Sequence, residues 1–411
     1  MLALKVLGAV GGFLFSVWVA RTLGDAALGR AELFILWVTV GATLLRGGWD
    51  GAVVKAFGAW TSQGQGDRVR HAFRRWTGIM VGIGLFAGLV GTQVFGLTSG
   101  FGPSLWIGWG MGAWLIIGWL AECLRGTGHV STYALFQPGW WMLLAGIPIA
   151  FGIKDPAVAL VLAAAVMAVL ALMGTAWWFR HRFRPSREKK EGPTMNMARL
   201  ALPIWVGSVL HLTLSWADTA MLSAWLTDTD VAHYRAAFRL AALLTFTQFA
   251  VNALGAPTFG ALHAAGDKEG LRRTVHRIGW LNTAVALPGL VFLFVLGPWL
   301  LSQWGPAFAR EEAVMALGLL AAAQAINALS GPVMYLLNMT GGERAGLAIL
   351  GVSAVAQLAS GLWLVPGHGL VGAAVSATIG MVVWNGVGLV WVRRKHGFWM
   401  VSLANGWWRR G

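Results

Sequence analysis

The sequence has little charge and almost no cysteine. Asp, Glu, Lys and Arg make up 11% of its 411 residues and hydrophobic residues 57%, whereas about one-quarter of a soluble domain is charged. This composition indicates a polytopic membrane protein. The single cysteine, Cys123, excludes a disulfide within these residues. The sequence contains no metal-ligand cluster, nucleophile motif or phosphate-binding glycine loop, so we expect neither an enzyme nor a bound cofactor.

Acidic residues are scarce, and the basic residues that outnumber them are concentrated in short segments. The formal net charge is +15, and residues 180–193 alone contain six Lys or Arg. Such a run could bind nucleic acid, but apolar stretches flank it on both sides. Because Lys/Arg clusters beside membrane spans mark cytoplasmic loops, we predict a basic cytoplasmic linker and no nucleic-acid partner.

Apolar stretches long enough to cross a bilayer recur along the chain. A helix needs about 20 mainly apolar residues to span the hydrocarbon core. Twelve segments meet this requirement: 2–20, 32–57, 76–96, 105–124, 132–152, 156–179, 199–224, 233–258, 278–300, 313–337, 345–365 and 370–392. Prolines interrupt some of them and predict bends at Pro203, Pro288 and Pro332.

The distribution of cations between the two sets of loops predicts the orientation. With the N-terminus inside, cytoplasmic regions hold 23 Lys/Arg and external loops hold five. The positive-inside rule therefore predicts N-in and C-in, with short external loops and no external domain.

The two halves of the chain resemble each other. Gly66-Asp67-Arg68 lies between spans two and three, and Gly266-Asp267-Lys268 lies between spans eight and nine. Six spans per half would keep both copies in the same orientation. The predicted fold is an all-α polytopic membrane protein with two six-helix lobes. Its predicted parts are an N-lobe, a basic linker, a C-lobe and a basic tail: 1–179, 180–197, 198–392 and 393–411.

The segment after span one reads Ala20-Arg21-Thr-Leu23-Gly24-Asp-Ala-Ala-Leu28-Gly29. This motif resembles the signature of the polysaccharide-biosynthesis flippases, which share a superfamily with multidrug extruders, although Arg30 and Ala31 depart from it. Gly48–Lys55, Leu202-Pro203 and Val231–Arg239 fit the same pattern.

The resemblance implies two lobes around a V-shaped central cavity that opens alternately to each side of the bacterial inner membrane. It implies a flippase that moves undecaprenyl-diphosphate-linked oligosaccharide between leaflets for surface polysaccharides such as O-antigen. The implied partners are the lipid-linked glycan, the bilayer and the glycan polymerase or chain-length machinery.

Charged residues inside spans are the first functional candidates, because an ionisable group in the bilayer core costs about 2.5–3.5 kcal/mol and needs a partner or a wet cavity. Arg46 and Asp50 are four residues apart in span two and predict a pair on one helix face. This pair is either a structural contact or a diphosphate site in which the Arg46 guanidinium binds the substrate. Trp49 beside it is a candidate for stacking on a sugar.

The second half offers polar candidates of a different kind. Asp218 and His211 lie on one face of span seven and are candidates to bind a coupling H⁺ or Na⁺. Asp218 could instead pair with Arg235 or Arg239, and Arg239 is also a substrate candidate. Gln324 and Asn327 share a face of span ten and could line a substrate cavity or join helices.

Two other function classes remain open at this stage. A cation-coupled drug antiporter is the closer alternative, and it predicts cavity carboxylates where Arg46 and Arg239 favour an anionic substrate. A membrane-embedded glycan polymerase or ligase is disfavoured because the chain lacks a large external loop.

Overall fold

The computed structural model describes residues 2–97, 104–136, 138–183 and 196–400. Within these residues the secondary structure is helical, and the chain divides into two compact units, residues 1–209 and 210–411. Most of the predicted basic linker, residues 184–195, and tail residues 401–411 lie outside the described residues.

The first unit contains eight helices and the beginning of a ninth. They are α1 (Leu2–Leu23), α2 (Asp25–Arg46), α3 (Trp49–Ser62), α4 (Gly66–Leu97), α5 (Ser104–Gly126), α6 (Val130–Leu135), α7 (Pro138–Ala150), α8 (Pro156–Arg182) and α9 (Met197–Trp225). The unit boundary falls within α9, whose residues 197–209 belong to the first unit.

The second unit contains the rest of α9 and five further helices. These are α10 (Asp228–Ala264), α11 (Lys268–Leu301), α12 (Glu311–Ser330), α13 (Val333–Met339) and α14 (Glu343–His396), with a short 3₁₀ turn at Pro306–Ala309. Helix α14 holds the last two predicted spans, which meet at the non-helical Gly369.

All twelve predicted spans fall on helix. Nine helices in the described part of the chain are long and apolar enough to cross a membrane, and α7 is a shorter apolar helix. The predicted membrane class and all-α fold are therefore confirmed.

Span two departs from its prediction because it is two helices rather than one. Helix α2 ends at Arg46, and Gly47 and Gly48 both adopt left-handed backbone with φ of 55° and 75°. This conformation is strained for any residue with a Cβ, so the Gly-Gly pair determines the position of the break. The backbone of Gly48 also lies against Ala201 and Trp205 of α9, where a Cβ would collide.

The three prolines predicted to bend spans differ in whether the helix ends there. Pro203 and Pro288 lie inside α9 and α11, and neither ends its helix. Only Pro332 coincides with a break, the one that separates α12 from α13. Span five is also divided, into α6 and α7.

The two units repeat one packing pattern. In the first unit α5, the fourth span, packs on the second, third and sixth spans. In the second unit α12, the tenth span, packs correspondingly on α10, α11 and α14. Equivalent neighbours around equivalent helices are what an internal duplication predicts.

The start of the predicted basic tail is packed rather than solvated. Helix α14 continues to His396, after which Phe398 and Met400 are buried in an apolar cluster of the second unit. Val275 and Ile278 of α11 and Val333 of α13 belong to the same cluster.

Candidate functional site

Arg46 and Asp50 form the predicted pair, but across the break in span two. The Arg46 Nε donates to Asp50 Oδ2 at 2.8 Å, and their side chains are 12% and 18% exposed. The other Asp50 oxygen accepts from the backbone N–H of Gly51 at 2.8 Å. Asp50 therefore lies in the first turn of α3, where a helix dipole favours negative charge.

Two further neighbours hold the guanidinium of Arg46. Its Nη1 donates to the backbone oxygen of Trp114 on α5 at 3.4 Å, and its Nη2 to Thr43 Oγ1 at 3.2 Å. Gly118 of α5 has no side chain at the point where the guanidinium approaches that helix. Glu122, one turn further along α5, interacts electrostatically with Arg46 and Asp50. The result is a fully paired, half-buried cation beside a broken helix.

Trp49, the predicted stacking residue beside this pair, packs against another helix. Trp49 packs on Trp76 of α4 with ring centroids 4.0 Å apart. Arg75 lies over the Trp76 ring at 5.6 Å. Trp49 is therefore part of an aromatic cluster that joins α3 to α4.

Asp218 is completely buried in the second unit. Its Oδ2 accepts from the Tyr234 hydroxyl at 2.6 Å, and its Oδ1 accepts from the backbone N–H and hydroxyl of Thr219 at 2.6 and 3.1 Å. The sequence predicts a pair between Asp218 and Arg235 or Arg239 as the alternative to ion binding, whereas the partner found here is a tyrosine. Sequence reasoning missed Tyr234, although it lies in the Val231–Arg239 motif.

The two arginines considered as partners lie on α10. Arg235 is buried, with its guanidinium carbon 4.1 Å from the Trp216 ring centre and 4.5 Å from that of Phe238. Its charge acts on Asp218 electrostatically. Arg239 is half-buried one turn further along α10.

The other predicted members of the span-seven face are not part of the Asp218 network. His211 is exposed, with its ring 6.2 Å from that of Trp384. Ser215 donates to the backbone oxygen of His211 at 2.8 Å. The i, i+4, i+7 spacing placed these residues on one face correctly, but packing divides that face into an exposed part and a buried part.

The amides of span ten meet a partner that sequence reasoning missed. Asn327 Nδ2 donates to Gln248 Oε1 of α10 at 2.9 Å, and Gln248 Nε2 donates to the backbone oxygen of Gln324 at 3.2 Å. The Gln324 side-chain oxygen is buried without a hydrogen-bond partner. Asn282 of α11 donates to Asn252, one turn along α10 from Gln248, at 2.9 Å. These amides form a polar layer between three helices.

An ion pair outside the predicted spans joins α10 to the segment before α12. Arg310 donates to Asp230, which is also held by Thr227 in a capping box. Burial raises the pKa of Asp230, but the hydrogen bonds from Arg310 and Thr227 outweigh it and hold the pKa below its ordinary value of 3.8. Within the described residues, no group of three or more His, Cys, Asp or Glu is arranged to hold a metal ion.

Two family models match overlapping parts of the chain. The MatE model matches residues 203–363, and the model for polysaccharide biosynthesis proteins matches residues 142–263. The chain is also 24% identical over 180 residues to the Haloferax volcanii protein named "Probable flippase AglR". That match covers 44% of this chain and 38% of the length of the relative.

The fold resembles solved structures over nearly its full length. An inward-facing multidrug resistance MATE family transporter matches with a TM-score of 0.74 and 16% identity, over 97% of this chain and 95% of the other. The lipid II flippase MurJ in an inward closed conformation matches with 0.68 and 11%, over 95% and 87%. A MOP superfamily transporter from Pyrococcus furiosus matches with 0.64 and 16%, over 96% and 94%.

The apolar helices and these matches define the protein as a multi-pass membrane protein with the fold of the MATE transporters. The partial matches to the MatE and polysaccharide biosynthesis models and to a probable flippase agree with the resemblance given by its sequence motifs. Its relatives are flippases and transporters rather than enzymes.

Proposed function

We propose that the protein is a flippase for undecaprenyl-diphosphate-linked oligosaccharide in the bacterial inner membrane, oriented N-in and C-in. The match to polysaccharide biosynthesis proteins and the similarity to a flippase support a lipid-linked glycan as substrate. Alternating access, driven by an H⁺ or Na⁺ gradient, supplies the translocation step.

The observation that carries this proposal is the position of Arg46 beside the Gly47–Gly48 break. A break within a membrane span exposes helix ends, and transporters use such ends to bind ions and charged substrate groups. Here the Arg46 guanidinium and the positive end of the α3 helix dipole both lie beside the Asp50 carboxylate. In the proposed cycle the diphosphate replaces Asp50 as the partner of the guanidinium fork.

The second unit supplies the remaining proposed roles. Gln324 and Asn327 lie in an amide layer whose donors and acceptors suit sugar hydroxyls, with Arg239 as a further contact for negative charge. Asp218 is the proposed site for the coupling ion because it is a fully buried carboxyl group within a transporter span. His211 is the second candidate for proton transfer.

The multidrug antiporter is the competing function. It is favoured by the MatE match and by the similarity to a multidrug transporter over nearly the whole chain. A drug antiporter carries cations, so Arg46 would repel its substrate and could act only as a scaffold.

The test is a transport assay with purified protein in liposomes. One set contains a polyprenyl-diphosphate-linked saccharide, and a glycosidase outside the vesicles reports how much headgroup crosses. A second set is assayed for gradient-driven uptake of ethidium. We expect saccharide crossing without ethidium uptake, and the reverse result would support the antiporter.

Substitutions at Arg46 test the binding role within the same assay. Arg46→Ala is expected to stop crossing while the protein still inserts, and Arg46→Lys is expected to restore it in part because lysine lacks the planar fork. Arg272→Gln is the matched control, because Arg272 forms an exposed i,i+3 pair with Glu269 and is expected to leave crossing unchanged.

The double variant Arg46→Gln with Asp50→Asn separates the two interpretations of the pair. It leaves no unpaired buried charge, so a purely structural pair would be replaced without loss of transport. We expect the double variant to be inactive. Full crossing by this variant would reject the binding role of Arg46.

A further inference from the structure

The first unit contains an apolar groove between its fifth and sixth spans that plays no part in the proposed site. The groove has a volume of about 630 Å³ and runs between α6/α7 and α8. We call it the α7–α8 groove. Its walls include Leu135, Trp140, Leu143, Met167, Leu170 and Gly174.

The dimensions of the α7–α8 groove fit one lipid leaflet. Its lining on α8 extends from Met167 to Trp178, a rise of about 16 Å at 1.5 Å per residue. Half of a hydrocarbon core about 30 Å thick is close to this length. Gly174 has open space where a side chain would be, and Leu170 beside it is 64% exposed.

One end of the groove is aromatic and the residues beyond it are basic. Trp177 and Trp178 line this end, as expected for residues at a membrane interface. Arg182 follows Trp178 by four residues, so it lies on the lining side of α8, one turn further out, whereas Arg180 lies on the opposite side of the helix. Both arginines are exposed.

A histidine completes the polar end. His129 lines the groove, with its ring 4.3 Å from that of Trp178 and its Nδ1 3.5 Å from Thr127 Oγ1. It lies in the connection between α5 and α6, across the groove from the basic end of α8. Donors from two elements therefore surround the place where a lipid phosphate would lie.

We propose that the α7–α8 groove binds an anionic phospholipid of the surrounding bilayer. An acyl chain fills the space beside Gly174, and the phosphate lies between Arg182 and His129. The positive charge at this end of the groove favours an anionic phospholipid over a neutral one, because basic pockets between transmembrane helices bind anionic headgroups. This proposal is independent of the transported substrate.

Native mass spectrometry of the purified full-length protein tests it, with phosphatidylglycerol and phosphatidylcholine of the same chain length as probes. We expect phosphatidylglycerol to bind more tightly. Arg182→Gln should weaken it about fivefold, because one arginine near an anionic surface contributes roughly that factor. Arg180→Gln, on the opposite side of α8, should have a smaller effect. Phosphatidylcholine binding should change little.

A glycine substitution tests the position of the acyl chain. Gly174→Phe fills the groove and should reduce binding of both lipids. Gly78→Phe is the matched control, because Gly78 of α4 is also an exposed helical glycine with nothing near its missing side chain. Thermal unfolding in detergent verifies that both variants are folded.

Three results would overturn the proposal. Wild-type protein could bind the two phospholipids equally, or Gly174→Phe and Gly78→Phe could have the same effect. Displacement of phosphatidylglycerol by a stoichiometric amount of undecaprenyl phosphate would instead assign the groove to the isoprenoid chain of a substrate.

Discussion

At the scale of single residues, the buried charged side chains of this protein are stabilised mainly by hydrogen-bond partners that are near in sequence or belong to the backbone. Arg46 finds a carboxylate one helical turn away and a backbone oxygen on a neighbouring helix. Asp218 takes two of its three hydrogen bonds from the adjacent residue, Thr219. The Tyr234 hydroxyl donates to Asp218 from another helix, so this contact links α9 to α10.

Removing the Tyr234 hydroxyl should therefore lower the stability of the second unit. We expect Tyr234→Phe to lower the free energy of unfolding by about 1–3 kcal/mol, because it leaves a buried carboxyl group with one partner fewer. Denaturant unfolding in detergent measures the change. Ser215→Ala, on the helix that carries Asp218, is the control, because its exposed hydroxyl donates to the backbone oxygen of His211 in its own helix, and its effect should be near zero. Equal stability of wild type and Tyr234→Phe would contradict this account.

At the scale of elements, the break between α2 and α3 places Arg46 and Asp50 at two helix ends instead of on one continuous face. A continuous helix would satisfy the backbone N–H groups at the start of α3 internally. In the broken form, Asp50 lies in the first turn of α3, accepts from the Gly51 N–H and pairs with Arg46 at the same time. The conformation depends on two adjacent glycines with different surroundings.

Alanine substitutions at the two glycines should have unequal effects. Both residues are left-handed, so Gly47→Ala should cost about 1–2 kcal/mol from backbone strain alone. Gly48→Ala should cost more, because its Cβ would also collide with Ala201 and Trp205 of α9, whereas the Cβ of Gly47 would make an ordinary contact with Trp49. Thermal unfolding of both variants in detergent measures which substitution lowers stability more. Equal losses of stability would show that α9 can move away from the new Cβ at no cost in free energy.

The end of α14 is a second element whose role depends on packing. The chain was predicted to leave the membrane as a basic tail, yet Phe398 and Met400 fold back into the apolar cluster of the second unit. His276 of α11 meets the backbone oxygen of Trp399 at 2.9 Å. Two apolar residues separated by one position provide too short a pattern for sequence analysis to distinguish this segment from a solvated tail.

At the scale of the whole molecule, charge asymmetry predicts the orientation in the membrane. Cysteine labelling can test it with little background, because the native Cys123 is buried. A membrane-impermeant maleimide should label Arg187→Cys only after the cells are permeabilised. Lys154→Cys, in the exposed connection between α7 and α8, should be labelled in intact cells. Labelling of position 187 in intact cells would reverse the predicted topology.

The sequence by itself determined the membrane class, the approximate positions of the spans and the partner of Arg46. Apolar length is a local property that determines a span. The geometry of the Arg46–Asp50 pair, in contrast, depends on the break at Gly47 and Gly48. The family resemblance could also be read from short motifs, and the matches to known proteins agree with it.

Only the tertiary structure decided which residues meet across helices. Tyr234 donates to Asp218 and Asn327 donates to Gln248, and the α7–α8 groove is lined by residues of different helices. Periodicity assigns a residue to a helix face but does not specify the neighbour that covers that face. In an apolar chain with few polar side chains, those neighbours arise from close packing between segments distant in sequence.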